Sequence, residues 1–168
     1  MTTSIRRKCI ITGGSGFIGS HLVDRLLQDG HEVVVLDNFA TGRMDNLSHL
    51  KKASRLSVQH ADVSELADIQ PFFEDVHWVF HLAALADIVP SIQKPMDYHK
   101  ANVSGTVAGL EAARIAGVNR FIYSASSSCY GIPAETPTPE TANIRPMYPY
   151  ALTKYLGEEC VMHWNKVY

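Results

Sequence analysis

Apolar residues along this chain fall into two rhythms. Short dense runs at Lys8–Thr12 (KCIIT), Glu32–Asp37 (EVVVLD), Leu56–His60, 77–82 (HWVFHL) and 120–124 (RFIYS) predict strands, several apolar enough for burial on both faces. Between them, 16–29, 45–52, 64–74 and 96–116 carry helical spacing, with Gly30 and Gly117 as C-terminal stops. Ile18, Leu22 and Leu26 would form one buried stripe, and Val103, Val107 and Leu110 another. Alternating strands and helices imply parallel strands joined by right-handed crossovers, hence an α/β doubly wound parallel sheet. The segment 133–149 holds five prolines and predicts a long surface excursion, followed by a last helix over 149–167.

Composition narrows the class without identifying it. The chain has 168 residues, enough for one domain, with 46% hydrophobic and 19% charged residues. A net charge of −2 gives no reason to expect nucleic acid or an anionic membrane as partner. No apolar run approaches the ~20 residues that span a bilayer. The basic residues before Cys9 lead into an apolar stretch that runs straight into glycines, which reads as a first strand rather than a signal peptide. Cys9, Cys129 and Cys160 are odd in number and far apart, which points away from a disulfide framework and towards a reducing, cytoplasmic setting. Cys129 lies beside a serine cluster, but no neighbour would activate it. The eight histidines have no metal-ligand spacing, so no metal is expected.

The first candidate chemistry is a glycine-rich turn, Thr12-Gly13-Gly14-Ser15-Gly16-Phe17-Ile18-Gly19, leaving a predicted strand and opening a predicted helix. Glycines allow a tight turn close to a pyrophosphate, and the helix N-terminus offers it unpaired N–H groups. Asp37 ends the second strand 18 residues after Gly19, where a carboxylate can accept both hydroxyls of an adenosine ribose. That carboxylate would repel a 2′-phosphate, so the expected cofactor is NAD rather than NADP; the nearest base is Arg43. Asp62, before Val63, either meets the adenine amino group or caps the helix that follows.

The second is Tyr150 and Lys154, one turn apart on the last helix, with Ser126 upstream. A phenol of pKa about 10 becomes a base near neutrality only with roughly 4 kcal/mol of differential stabilisation. A neighbouring ammonium and a positive nicotinamide would supply it, and a serine hydroxyl could orient a substrate alcohol. A lone Tyr-Lys pair is more often a solvated helix face; the upstream fingerprint favours the catalytic reading.

Taken in order, Thr12 to Gly19, Asp37-Asn38, Asp62-Val63, His81-Leu82-Ala83-Ala84, Asn102-Val103-x-Gly105-Thr106, Tyr123-x-x-Ser126-Ser127-Ser128-x-Tyr130-Gly131 and Tyr150-x-x-x-Lys154 resemble the extended short-chain dehydrogenases/reductases. Within that group the series is similar to the NAD-dependent nucleotide-sugar epimerase/dehydratase family, nearest to UDP-glucose and UDP-N-acetylglucosamine 4-epimerases. The resemblance implies a Rossmann-like fold and tightly held NAD. It implies cofactor contacts from Gly13, Gly16, Phe17, Ile18, Gly19, Asp37, Asn38, Asp62, Val63, Leu82, Ala83, Ala84, Tyr150 and Lys154. Ser126, Tyr150 and Lys154 would be catalytic, and Ser126, Ser127 and Tyr150 would touch the sugar. Ser128 and Tyr130 would be structural. The implied reaction oxidises a UDP-hexose transiently to a 4-keto-sugar and returns hydride to its other face. The family's dehydratases carry acids just after the catalytic Ser/Thr; here Ser127 and Ser128 stand there, which disfavours dehydration.

By the same resemblance, whole members continue past the Tyr-Lys helix into further strands and a smaller C-terminal lobe that grips the nucleotide-sugar. The 168 residues read as the NAD-binding domain with its catalytic side chains, lacking the last strands and the substrate domain. Loss of that remote binding energy should damage turnover as well as affinity. Besides an epimerase that needs completion, two other readings remain: a non-catalytic NAD-binding module that dimerises, and a keto-sugar reductase or dehydratase. The resemblance also implies a homodimer through a four-helix bundle, with Ala108, Leu110, Ala112, Leu156 and Val161 as apolar candidates, although core packing explains them equally well.

Overall fold

The computed structural model describes residues 6–168, so the first five residues of the N-terminal reading lie outside the described residues. Five parallel strands, β1 (Lys8–Thr12), β2 (Glu32–Asp37), β3 (Leu56–His60), β4 (Trp78–His81) and β5 (Arg120–Tyr123), form one sheet in the order β3-β2-β1-β4-β5. Chain direction across the sheet reverses between β1 and β4, which leaves a crevice at the carboxyl ends of those two strands.

Strand periodicity explains the two cores. Ile10, Val34, Leu36 and Val79 point to one face, against Val63, Ile69, Phe73 and Ala112. Cys9, Ile11, Val33 and Val35 point to the other, against Val23, Leu26 and Leu27 of helix α1 (Phe17–Gln28) and Leu47. Both faces are covered, as the near-continuous apolar runs require.

The helices depart from expectation in instructive places. In α1 the buried side is Gly19, Ser20, Val23, Leu26 and Leu27; Ile18 is 63% exposed and Leu22 half-buried. The helix begins directly from the glycine turn, which forces Gly19 rather than Ile18 against it. Over 45–52 the chain forms a 3₁₀ segment, Met44–Leu50. The helix expected over 64–74 shrinks to α2 (Leu66–Ile69) and a 3₁₀ turn, Gln70–Phe72, because Pro71 cannot continue an α-helix. Helix α3 (Ile88–Gln93) was not foreseen: Pro90 reads as a breaker, yet it sits in the first turn, where no intrahelical N–H is needed.

The long helix is α4 (Pro95–His99), a π-helical turn (Lys100–Ser104) and α5 (Gly105–Ala116) in unbroken succession. Its buried side is set by Asn102, Gly105, Thr106, Gly109, Leu110, Ala112 and Ala113; Val103 and Val107 are only half-buried. Leu110 and Ala112 are therefore interior residues of this domain, a correction to their place among interface candidates. Residues 131–148 contain no helix or strand, and α6 (Pro149–Val167) follows with proline at its start. No helix among the described residues is long and apolar enough to cross a membrane.

Candidate active site

The crevice is built from the glycine turn upward. Gly13 adopts φ +69°, and its N–H donates to the Leu36 carbonyl at 2.8 Å. A β-carbon there would lie 2.8 Å from the Ala83 nitrogen, and one on Gly19 would fall on the Gly13 carbonyl oxygen. Both glycines are thus demanded by space, and Gly13 by backbone conformation too. The Gly16 N–H closes the turn on the Gly13 carbonyl at 3.1 Å. Gly16 caps α1 without a side chain, so the first-turn N–H groups have no side-chain acceptor.

Asp37 is buried beside this turn. Its carboxylate accepts the Ser15 N–H at 2.9 Å and the Phe39 N–H at 2.8 Å. The Ser15 hydroxyl is buried without a hydrogen-bond partner. Asn38 accepts the Ala40 N–H and shapes the loop that follows. A cavity of about 320 Å³ opens here, with Gly13, Gly16, Asp37 and Asn38 on one side. Asp62 and Val63 line another wall, and Leu82, Ala83 and Ala84 a third. Phe17 and Ile18 do not line it; their side chains are 79% and 63% exposed. Asp62 accepts both the N–H and the hydroxyl of Ser64, a tight local turn at the cavity rim, while α2 starts only at Leu66.

None of Ser126, Tyr150 and Lys154 lines this cavity; Ser126 and Tyr150 approach each other, and Lys154 lies one turn further along α6. The Tyr150 hydroxyl lies 3.5 Å from the Ser126 Oγ, longer than a formed O–H···O bond of about 2.7–2.8 Å. Ser126 is held by Ser128, through its hydroxyl at 2.7 Å and its N–H at 3.3 Å. Ser127 is exposed at the start of the 3₁₀ turn Ser127–Tyr130. The Tyr150 ring is flanked by Tyr98, edge-on at 6.4 Å, and Tyr148, stacked at 6.5 Å. Lys154 is buried, and burial pulls its ammonium down to about 8, against a smaller opposing pull from Glu158. Cys129 is buried in the same turn with its thiol pushed up by burial, and burial pushes Cys9 up to about 11, so neither is a nucleophile.

Two polar connections escaped sequence reasoning. Asn102, singled out only within a motif, accepts the Leu85 N–H at 2.8 Å and donates to the Leu85 carbonyl at 3.0 Å and to the Thr153 Oγ at 3.0 Å. It joins the loop after β4, which forms the cavity wall, to α6 beside Lys154. His81 sits fully buried between Thr12 (2.9 Å from Nδ1) and Thr106 (3.1 Å from Nε2). The Thr106 hydroxyl donates to the Asn102 carbonyl, so it accepts from Nε2–H, and Thr12 donates to Nδ1. Thr12 then accepts the N–H groups of Leu82 and Ala83, each at 3.2 Å. The imidazole is neutral, driven down to about 3 by burial and by the nearby Lys154 charge. A polar Asn102 four residues before Thr106, amid small apolar neighbours, was the one sequence signal for this network. Among the described residues no group of three His, Cys, Asp or Glu side chains could hold a metal ion.

Parallel sheet, reversal crevice and glycine-lined cavity together define a Rossmann-like α/β domain. The chain belongs to the NAD dependent epimerase/dehydratase family, whose profile matches residues 9–168. It is 38% identical to the UDP-glucose 4-epimerase of Mycolicibacterium smegmatis, with 96% of this chain and 52% of the relative aligned. It is 40% identical to UDP-glucuronic acid decarboxylase 1 of Arabidopsis thaliana, over 84% of this chain and 32% of the relative. The UDP-N-acetylglucosamine 4-epimerase of Methanobrevibacter ruminantium, solved with UDP-N-acetylmuramic acid, superposes with a TM-score of 0.91 at 33% identity, over 97% of this chain and 52% of that one. The chain thus spans about half the length of the epimerases it matches.

Proposed function

We propose that this chain is the cofactor-binding and catalytic half of an NAD-dependent nucleotide-sugar 4-epimerase acting on UDP-hexoses. The observation that supports this reading is the approach of the Tyr150 hydroxyl to Ser126, one helical turn from a buried Lys154, in a domain that also holds a glycine-lined cavity. The residues fit NAD: Gly13, Gly16 and Asp37 line one cavity beside the first-turn N–H groups of α1, and the buried Ser15 hydroxyl next to them is unpartnered. When bound, NAD supplies an acceptor and donor of hydride.

The chain's own residues do the rest. The α1 N-terminus receives the pyrophosphate, with Phe17, Ile18 and Gly19 giving backbone N–H groups. Asn38, Asp62 and Val63 border the adenosine end, and in the Leu82-Ala83-Ala84 wall the small side chains of Ala83 and Ala84 let the cofactor pass close to the sheet. Lys154 holds the nicotinamide ribose and, as an ammonium, favours phenolate at Tyr150. Tyr150 removes the proton of the sugar 4-hydroxyl and later returns one, with Ser126 orienting that hydroxyl. Ser127 contacts the sugar. The cycle is redox-neutral, and the nucleotide half of the substrate would be held by protein outside these residues.

The decarboxylase relative favours a second reading, oxidation of the same 4-hydroxyl followed by loss of carbon dioxide from a UDP-uronic acid. A non-catalytic dimerising module is weaker, since it needs none of Ser126, Tyr150 and Lys154. In it, contact with a second copy would fall to residues such as Leu156 and Val161, which are half-buried here.

The test incubates UDP-glucose and UDP-N-acetylglucosamine with this chain and with a C-terminally extended form. The C4 epimers are expected from the extended form. Reduction of a keto-sugar without epimer, or turnover of UDP-glucuronic acid alone, would end the epimerase reading. Greater thermal protection by NADP than by NAD would end the cofactor assignment.

A further inference from the structure

The aromatic ring that faces Lys154 does not belong to the Ser-Tyr-Lys constellation. Tyr123, at the end of edge strand β5, meets α6 in three ways. The Lys154 Nζ lies 4.1 Å from the centre of its ring, over the ring face. Its hydroxyl donates to the Lys154 carbonyl at 2.9 Å. A β-carbon on Gly157 would come within 2.5 Å of that hydroxyl, so a glycine one turn on is what admits the ring. His81 stacks on the same ring at 6.0 Å and 19°.

We propose that Tyr123 is a positioning residue for Lys154: its ring face seats the ammonium while its hydroxyl pins the helix backbone at the same residue. This rests on the reading of Lys154 as the residue that holds the nicotinamide ribose and favours phenolate at Tyr150. A lysine stem has four rotatable bonds and a strongly hydrated head, and burial alone would expel the charge. The negative face of an aromatic ring supplies a fixed, directional attraction with no competing proton. Each group facing this position fits such a seat. His81 stacked on the ring stays neutral and adds no rival cation. Glu158, one turn along α6, favours the ammonium. Burial raises the Tyr123 phenol, so Tyr123 remains a neutral donor to the Lys154 carbonyl. Tyr123 therefore acts through Lys154, while Tyr150 remains the proton-transfer group.

The experiment follows isotope-labelled lysine side chains by NMR in this chain, without cofactor, identifying Lys154 by its loss in Lys154→Met. In the unsubstituted protein the Lys154 ε-methylene should be shifted upfield by the ring beneath it. Tyr123→Phe should keep that shift and the lysine titration midpoint while lowering thermal stability. Tyr123→Leu should abolish the upfield shift and lower the midpoint by about half a unit or more. A merely structural tyrosine would lose stability in both variants and move neither lysine signal. An unshifted Lys154 methylene in the unsubstituted chain overturns the proposal, and this readout stands even where Tyr123→Leu fails to fold. A folded Tyr123→Leu protein with an unchanged midpoint overturns it equally. Thermal protection by NAD is measured in parallel: its absence beside an upfield-shifted Lys154 would remove the functional reading and leave the seat intact.

Discussion

Gly13 and Ala83, seventy residues apart in sequence, are in backbone contact: a β-carbon on Gly13 would sit 2.8 Å from the Ala83 nitrogen and 2.9 Å from its α-carbon. The turn that would receive a pyrophosphate and the strand end that walls the cavity are therefore one surface, and the left-handed φ of +69° at Gly13 makes the approach possible.

Gly13→Ala should be strongly disruptive. The left-handed backbone alone costs about 1–2 kcal/mol for a residue with a β-carbon, before the collision with Ala83 is relieved. Thermal unfolding should show Tm lowered by about 5 °C or more, together with loss of protection by NAD. An unchanged melting curve would contradict the close approach.

Asp37→Asn leaves an amide nitrogen facing one of two backbone N–H donors in a buried site, at a cost of about 1–3 kcal/mol. The thermal shift produced by NAD should shrink while that produced by NADP does not fall. Retention of the full NAD shift would remove Asp37 from the ribose site.

Lys154 carries a pH dependence whose sign is fixed by burial. Its folded pKa of about 8 lies below its ordinary 10.5. Below pH 8 both states hold the proton, and burying the charge penalises the folded state. Between 8 and 10.5 the unfolded state holds more protons, so stability rises with pH. Lys154→Met should therefore stabilise the protein at pH 7, by up to about 3 kcal/mol, with the gain shrinking towards pH 10.5. Urea denaturation at pH 7 and pH 10 measures the difference.

His81 sets the acid side. It is neutral in the fold, with a pKa of about 3 against an ordinary 6.5, so the unfolded chain takes up its proton first on acidification. Stability contributed by the neutral, twice hydrogen-bonded ring falls as pH drops from 6.5 towards 3. His81→Gln should be less stable than the unsubstituted protein at pH 7.5, yet lose less between pH 6.5 and 4.5 in thermal melts.

The strands were legible because burial on both faces leaves dense apolar runs, and β1, β2 and β3 fall on the residues read from the sequence. Gly13, Gly16 and Asp37, singled out by glycine spacing and strand end, and Asn38, Val63 and Leu82 to Ala84, singled out by resemblance, line one cavity, whereas Phe17 and Ile18 from the same set do not. What could not be read depends on distant partners. Ile18 looked like a core residue until the turn fixed the rotation of α1. Helix α3 bears exposed Ile88, Val89 and Ile92 around Pro90, so neither amphipathic rhythm nor helix chemistry announced it. His81 acquires meaning only from Thr12 and Thr106, 69 and 25 residues away, and Asn102 only from Leu85 and Thr153.

That single amide at Asn102 acts as a rivet. Two of its bonds hold Leu85 in the wall of the crevice and the third reaches Thr153 on the helix bearing Tyr150, so tilting that helix outward would break the bond to Thr153 and free the amide that fixes the wall. On the proposed epimerase reading, which must present both faces of a ring to one hydride carrier, this side would be the fixed bench and the turning would belong to the sugar.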